Sequence, residues 1–130
     1  MAEKRVFISY DYAKDKNCKD LLLAWDIHGD LDLNFYDMSV EVPVDSSDAP
    51  AIKRDISARI SDSSHFLCLV GKYTHKSRWV DWEIKKAAEL KKKIVAVQLE
   101  KNTTTPRALY GVGTSWALSF NFDVIKKALE

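Results

Sequence analysis

Residues 65–84 read HFLCLVGKYTHKSRWVDWEI. The opening run, HFLCLVG (65–71), is almost continuously apolar. That pattern marks a strand buried on both faces, as in a parallel sheet. From Ser77 the period changes. Val80, Ile84, Ala87 and Ala88 form an apolar stripe at helical spacing, and Ser77 stands where an N-cap belongs. A buried strand running directly into an amphipathic helix is one βα unit, and the rest of the chain repeats it.

Outward from this stretch, RVFISY (5–10) and KIVAVQL (93–99) share the continuous apolar character. LDLNFYD (31–37) instead alternates Leu31, Leu33 and Phe35 with Asp32, Asn34 and Tyr36, which predicts a strand nearer an edge. SWALSF (115–120) is a weaker fifth strand candidate. Helical patterns fill the intervals. In KNCKDLLLAWDIHG (16–29), Leu21, Leu22, Trp25 and His28 lie near helical spacing, with Gly29 as the expected stop. In APAIKRDISARISDS (49–63), Ile52, Ile56 and Ile60 form an i, i+4 stripe, with Ser47 or Asp48 as cap and Pro50 in the first turn. NFDVIKKALE (121–130) places Phe122, Ile125 and Leu129 on one side. Strand and helix alternate throughout. This predicts a single doubly wound α/β domain over residues 1–130, flavodoxin-like, with a mostly parallel five-stranded sheet. In such sheets ligands bind beyond the carboxyl ends of the strands, at the switch point. The segments to watch are therefore 10–14, 37–49, 71–79 and 100–114.

The totals exclude several classes. With 46% hydrophobic and 30% charged residues, the chain is expected to pack rather than stay disordered. A net charge of +1 gives no bulk signal for nucleic acid. The local lysines at 85, 86 and 91–93 read as a solvated helix face. Two cysteines, Cys18 and Cys68, argue against a disulfide framework or a zinc site. Cys68 reads as a small buried hydrophobe. The N-terminal apolar run is too short for a signal peptide, and no stretch approaches the ~18 apolar residues of a membrane span. The expectation is a cytoplasmic protein with no membrane or nucleic-acid partner.

Common phosphate-binding chemistry is missing. No G-x-G-x-x-G or G-x-x-x-x-G-K-[ST] occurs, and the turn after the first strand, SYDYAKD, has no glycine. No nucleophile elbow is present, and His28, His65 and His75 lack metal-ligand spacing. What remains at the rim is acidic and aromatic: Tyr10 and Asp11 after the first strand, Asp37 after the second, and Trp79, Asp81 and Glu83 in the helix after the third. Trp79 and Glu83 are one helical turn apart on one face. Carboxylates beside rings, without metal ligands, suit stabilisation of an oxocarbenium-like state at a sugar. Each residue also has a plainer reading. Glu83 early in a helix suits the macrodipole, the tryptophans suit packing, and Asp37 suits a turn.

RVFISYDY resembles the first signature box of Toll/interleukin-1 receptor (TIR) domains. NFYD resembles their second strand with its terminal acid. HFLCLVGKYTHKSRWVDWEI resembles the third strand, its loop and the W-x-x-x-E motif, and KKKIVAVQL resembles the fourth strand. The similarity runs in order over residues 4–100, and small single-domain proteins of this kind resemble the sensor of the bacterial Thoeris antiphage system. The resemblance implies an NAD⁺-consuming enzyme, with NAD⁺ as substrate and no further cofactor or metal. It would cleave the nicotinamide–ribose bond and cyclise ADP-ribose to a diffusible messenger for a separate effector. It makes Glu83 catalytic and holding the nicotinamide ribose hydroxyls, Trp79 a pocket support, Tyr10 a neighbour of the nicotinamide end, and Asp37 the matching strand-two acid. Asp11 joins them as a rim residue that could bind substrate. A phage-derived activator and self-association through the loop 38–48 are further implied partners. That loop lacks the glycine many TIR domains carry there, and the chain beyond residue 100 matches poorly. A non-catalytic TIR-like scaffold is the alternative reading. A nucleoside N-glycosidase of similar fold, such as a deoxyribosyltransferase, shares the carboxylate logic but not the first box.

Overall fold

The structure, a computed structural model, describes residues 4–37 and 41–130. Among these residues five strands are present: β1 Lys4–Ser9, β2 Leu31–Phe35, β3 His65–Val70, β4 Lys93–Gln98 and β5 Ser115–Ala117. Four α-helices alternate with them: α1 Tyr12–Trp25, α2 Ala49–Asp62, α3 Arg78–Glu89 and α4 Phe122–Ala128. Short 3₁₀ turns, Thr74–Lys76 and Arg107–Leu109, precede α3 and β5.

All pairings are parallel, and the strand order is β2-β1-β3-β4-β5. The chain moves to one side of β1 to make β2 and then crosses to the other side to make β3. That reversal opens a crevice where β1 and β3 end. β1, β3 and β4, the nearly continuous apolar runs, form the interior of the sheet. Their side chains alternate between two buried layers. Phe7, Phe66, Cys68, Val70, Ile94 and Ala96 pack under α2 and α3. Val6, Ile8, Leu67, Leu69, Val95 and Val97 pack under α1 and α4. Phe7 and Phe66, opposed in register, stack with centroids 5.8 Å apart. β2 is an edge strand, as its alternation predicts, and Leu33 and Phe35 are only half-buried.

Helix boundaries differ from expectation in α1. The helix begins at Tyr12, where Asp11 caps it by accepting the Ala13 N–H at 3.2 Å. It ends at Trp25 and does not continue to Gly29. The Asp26 carboxylate accepts the N–H groups of Asp30 and Leu31, both at 3.1 Å, and turns the chain into β2. Gly29 lies in that turn at φ +64°, and His28 is exposed and off the helix. α2 starts after Asp48 with Pro50 in its first turn, and its stripe buries Ile56 and Ile60.

Candidate active site

α3 needs no carboxylate to start it. The Ser77 hydroxyl accepts the Val80 N–H at 3.2 Å, which caps the helix. Glu83 sits in the second turn and belongs to the buried stripe of Trp79, Val80, Ile84 and Ala87 that faces the sheet. It is 4% exposed. The hydroxyl of Ser9, the last residue of β1 and 1% exposed, donates to Glu83 Oε1 at 2.7 Å. Ser9 pairs in register with Cys68, so the carboxyl lies where β1 and β3 run side by side toward the crevice. Burial pushes the Glu83 carboxyl up to about 8, with the Ser9 hydrogen bond pulling the other way. The same burial pushes the Cys68 thiol up, with the Glu83 and Asp15 charges adding to it. Among the described residues Glu83 has no ion-pair partner, and Oε2 has no hydrogen bond. An acid in this state costs stability, so packing alone does not account for it.

Trp79 is buried and meets Trp82 edge-on at 6.1 Å. Its indole N–H donates to the Val42 carbonyl, so it fastens the segment after β2 onto α3. It packs in the core and presents no bare ring for stacking. Tyr10 follows Ser9 but packs in the opposite layer with Leu22 and Leu31. Its hydroxyl is buried without a hydrogen-bond partner among the described residues. Asp37 is half-buried, with Oδ2 3.7 Å from Lys19 Nζ and Oδ1 buried without a hydrogen-bond partner among the described residues. Burial pushes its carboxyl up. Asp11 is committed to the α1 cap, and its backbone carbonyl also accepts the Asp15 N–H at 2.7 Å. The expected residues therefore fall into two groups around the strand ends. Glu83 and Trp79 join Ser9 on the α3 side, while Tyr10 and Asp37 join Lys19 on the α1 side. Asp11 lies at the α1 start. Residues 38–40 of the loop expected to mediate self-association lie outside the described residues.

Three residues of this region carried no readable signal. Ser9 was only part of a strand motif. Lys19, within a run of charges, is 3% exposed, 4.1 Å from the Phe35 ring centroid and 2.9 Å from Asp20 Oδ1. Asp15 lies one turn into α1. Its carboxylate lies against Gly71 at the end of β3, and the Thr74 hydroxyl lies 3.2 Å from Oδ2. That hydroxyl also accepts the Gly71 N–H at 2.8 Å. Burial pushes the Asp15 carboxyl up, opposed by the Thr74 hydrogen bond. No group of three or more His, Cys, Asp or Glu among the described residues is arranged to hold a metal ion. No helix among them is long and apolar enough to cross a membrane.

A parallel sheet in this order, with a buried acid from the third helix meeting the end of the first strand, defines a flavodoxin-like domain of the TIR type. The chain belongs to the family of the Thoeris protein ThsB, TIR-like domain, whose profile matches residues 7–104. No curated protein matches it in sequence. Among solved structures, the chain is similar to the CMP N-glycosidase BcmB of Clostridium botulinum. The TM-score is 0.58 at 17% identity, covering 97% of this chain and 96% of that one. At that identity the likeness speaks to the fold alone.

Proposed function

We propose that the chain cleaves the N-glycosidic bond between nicotinamide and ribose in NAD⁺ and cyclises the remaining ADP-ribose into a signalling nucleotide for antiphage defence. The observation that carries this reading is the Glu83–Ser9 pair. One carboxylate oxygen is held by a neutral hydroxyl, no cation among the described residues competes for the charge, and that hydroxyl belongs to the last residue of β1, the strand at the switch point. Nicotinamide departs with the bonding electron pair and becomes neutral, so no strong general acid is required. The ribose is left as an oxocarbenium-like centre, and ionised Glu83 stabilises its charge while Oε2 takes a ribose hydroxyl. Attack by a group of the same molecule gives the cyclic product and a proton. Attack by water gives ADP-ribose and a proton. In this reading Trp79 supports the site by holding Val42, and Tyr10, Asp11 and Asp37 contribute to substrate binding from the α1 side. Family membership supports the assignment, as does a fold shared with an enzyme described as an N-glycosidase.

That structural likeness favours one second reading, cleavage of a pyrimidine nucleotide at its N-glycosidic bond. The test offers NAD⁺ and CMP separately to wild type and Glu83→Gln, with products followed by mass spectrometry, in purified form and in phage-infected cells. The expected result is nicotinamide release from NAD⁺ by wild type, reduced at least about a hundredfold in the variant. Base release from CMP alone selects the second reading. Undiminished turnover in Glu83→Gln rejects the role of Glu83 in both. Absence of turnover under every condition leaves a scaffold.

A further inference from the structure

On the outer side of α3 a cavity of about 660 Å³ is walled by the segment around Asp45, by α2, by the turn before α3 and by residues 104–107. It is separate from the Glu83 site. Arg78, Asp81, Trp82 and Lys85 line it, and these occupy the face of α3 opposite Val80, Glu83, Ile84 and Ala87.

Its charge is lopsided. Five cations line it, Lys53, Lys76, Arg78, Lys85 and Arg107, against the acids Asp45 and Asp81, although the whole chain carries only +1. Both acids are already engaged, Asp45 with Arg78 at 3.3 Å and Asp81 with Lys85 at 2.9 Å. Lys53, Lys76 and Arg107 have no ion-pair partner among the described residues. They come from three separate elements: α2, the turn before α3 and the turn before β5. A solvated helix stripe places cations along one element and splays them outward. Here the fold converges them on one concavity, whose walls focus the field. The volume lies in the range of small-molecule sites, and the threonine pair 104–105 adds hydroxyls to the wall.

We propose that this cavity binds a small organic di- or triphosphate, its phosphates held by Lys53, Lys76 and Arg107. Multiply charged phosphate matches three unneutralised cations better than a monoanion does, and guanidinium with ammonium groups is the usual donor set for it. The site goes beyond the proposed reaction and does not depend on it.

The test is titration calorimetry at low ionic strength with pyrophosphate, ADP and adenosine as separate probes. The proteins are wild type, Glu83→Gln, Arg107→Lys and the double variant Lys53→Gln/Arg107→Gln, each first shown to be folded by circular dichroism. Pyrophosphate and ADP are expected to bind wild type and Glu83→Gln alike, and adenosine is not. The double variant should weaken both at least about tenfold, Arg107→Lys should retain measurable binding, and added salt should weaken it. Tighter ADP than pyrophosphate identifies a nucleotide as the source; equal affinity identifies the free polyphosphate. No binding of either probe, equal binding by the double variant, or binding lost only in Glu83→Gln would each overturn the proposal.

Discussion

Glu83 is held against a solvation penalty, and its pH behaviour follows from that. Its native carboxyl is pushed up to about 8 from an ordinary value of 4.5. Below the ordinary value the group is protonated in both states and contributes no difference. Between the two values the unfolded chain loses the proton while the native state keeps it, so stability falls as pH rises. Above the native value both states are ionised and the loss levels off. Within that window the slope reaches about 1.4 kcal/mol per pH unit. Glu83→Gln keeps an acceptor for Ser9 and removes the titration. Urea unfolding from pH 5 to 8 should therefore show wild type losing stability relative to the variant, by several kcal/mol in order of magnitude. Parallel curves would mean that Glu83 is not desolvated in solution. The same shift bears on catalysis. In the proposed reaction the ionised carboxylate is the useful form, so kcat/KM for NAD⁺ is expected to climb as pH approaches the native value from below. Ser9→Ala, by removing the hydrogen bond that favours the charged form, should move that rise to higher pH.

Between elements, the start of α1 is locked to the end of β3 at one close approach. A Cβ on Gly71 would meet both Asp15 carboxylate oxygens at 2.6 Å. Asp15 has little freedom to yield, because the Thr74 hydroxyl that binds it also accepts the Gly71 N–H. Gly71→Ala is expected to cost about 1–3 kcal/mol. In an Asp15→Ala background the clash is gone and the cost should shrink. Equal costs in the two backgrounds, measured by urea denaturation, would remove Asp15 from this contact. The lock matters for the site because both strands whose ends frame the crevice are involved: β1 leads into α1, and β3 leads through Gly71 to the turn before α3. Trp79 does the corresponding work on the other flank, tying Val42 to the helix that carries Glu83.

Across the whole molecule, stability is graded from the middle of the sheet outward. The interiors of β1, β3 and β4 are buried on both faces, whereas β2 is half-buried and β5 is three residues long at the opposite edge. Hydrogen exchange should be slowest at Ile8, Leu67, Cys68 and Val95 and distinctly faster at Asn34 and Trp116. Uniform protection across the five strands would contradict this gradient. The expected slow centre includes Cys68, the register partner of Ser9, whose hydroxyl meets Glu83.

What the sequence alone determined was the set of elements and their class. The nearly continuous runs at 65–71 and 93–99 could satisfy their side chains only between two layers. The alternation at 31–37 assigned an edge strand, and Ser77 with the Ile52, Ile56, Ile60 stripe marked helices; these are local periodicities, and local periodicity survives in one dimension. The W-x-x-x-E spacing likewise put Trp79 and Glu83 on one face. The end of α1 was less legible, because Gly29 signals a stop and the carboxylate of Asp26 ends the helix earlier by capping backbone that belongs to β2. Tertiary structure alone decided which acids are desolvated. Asp11 and Asp15 look equivalent in sequence, yet one caps a helix and the other is pressed onto Gly71. Ser9 meets Glu83 across 74 residues of chain, and Lys19 is buried beneath rings. Desolvation and long-range pairing depend on which elements are brought side by side, and no stretch of sequence carries that information by itself.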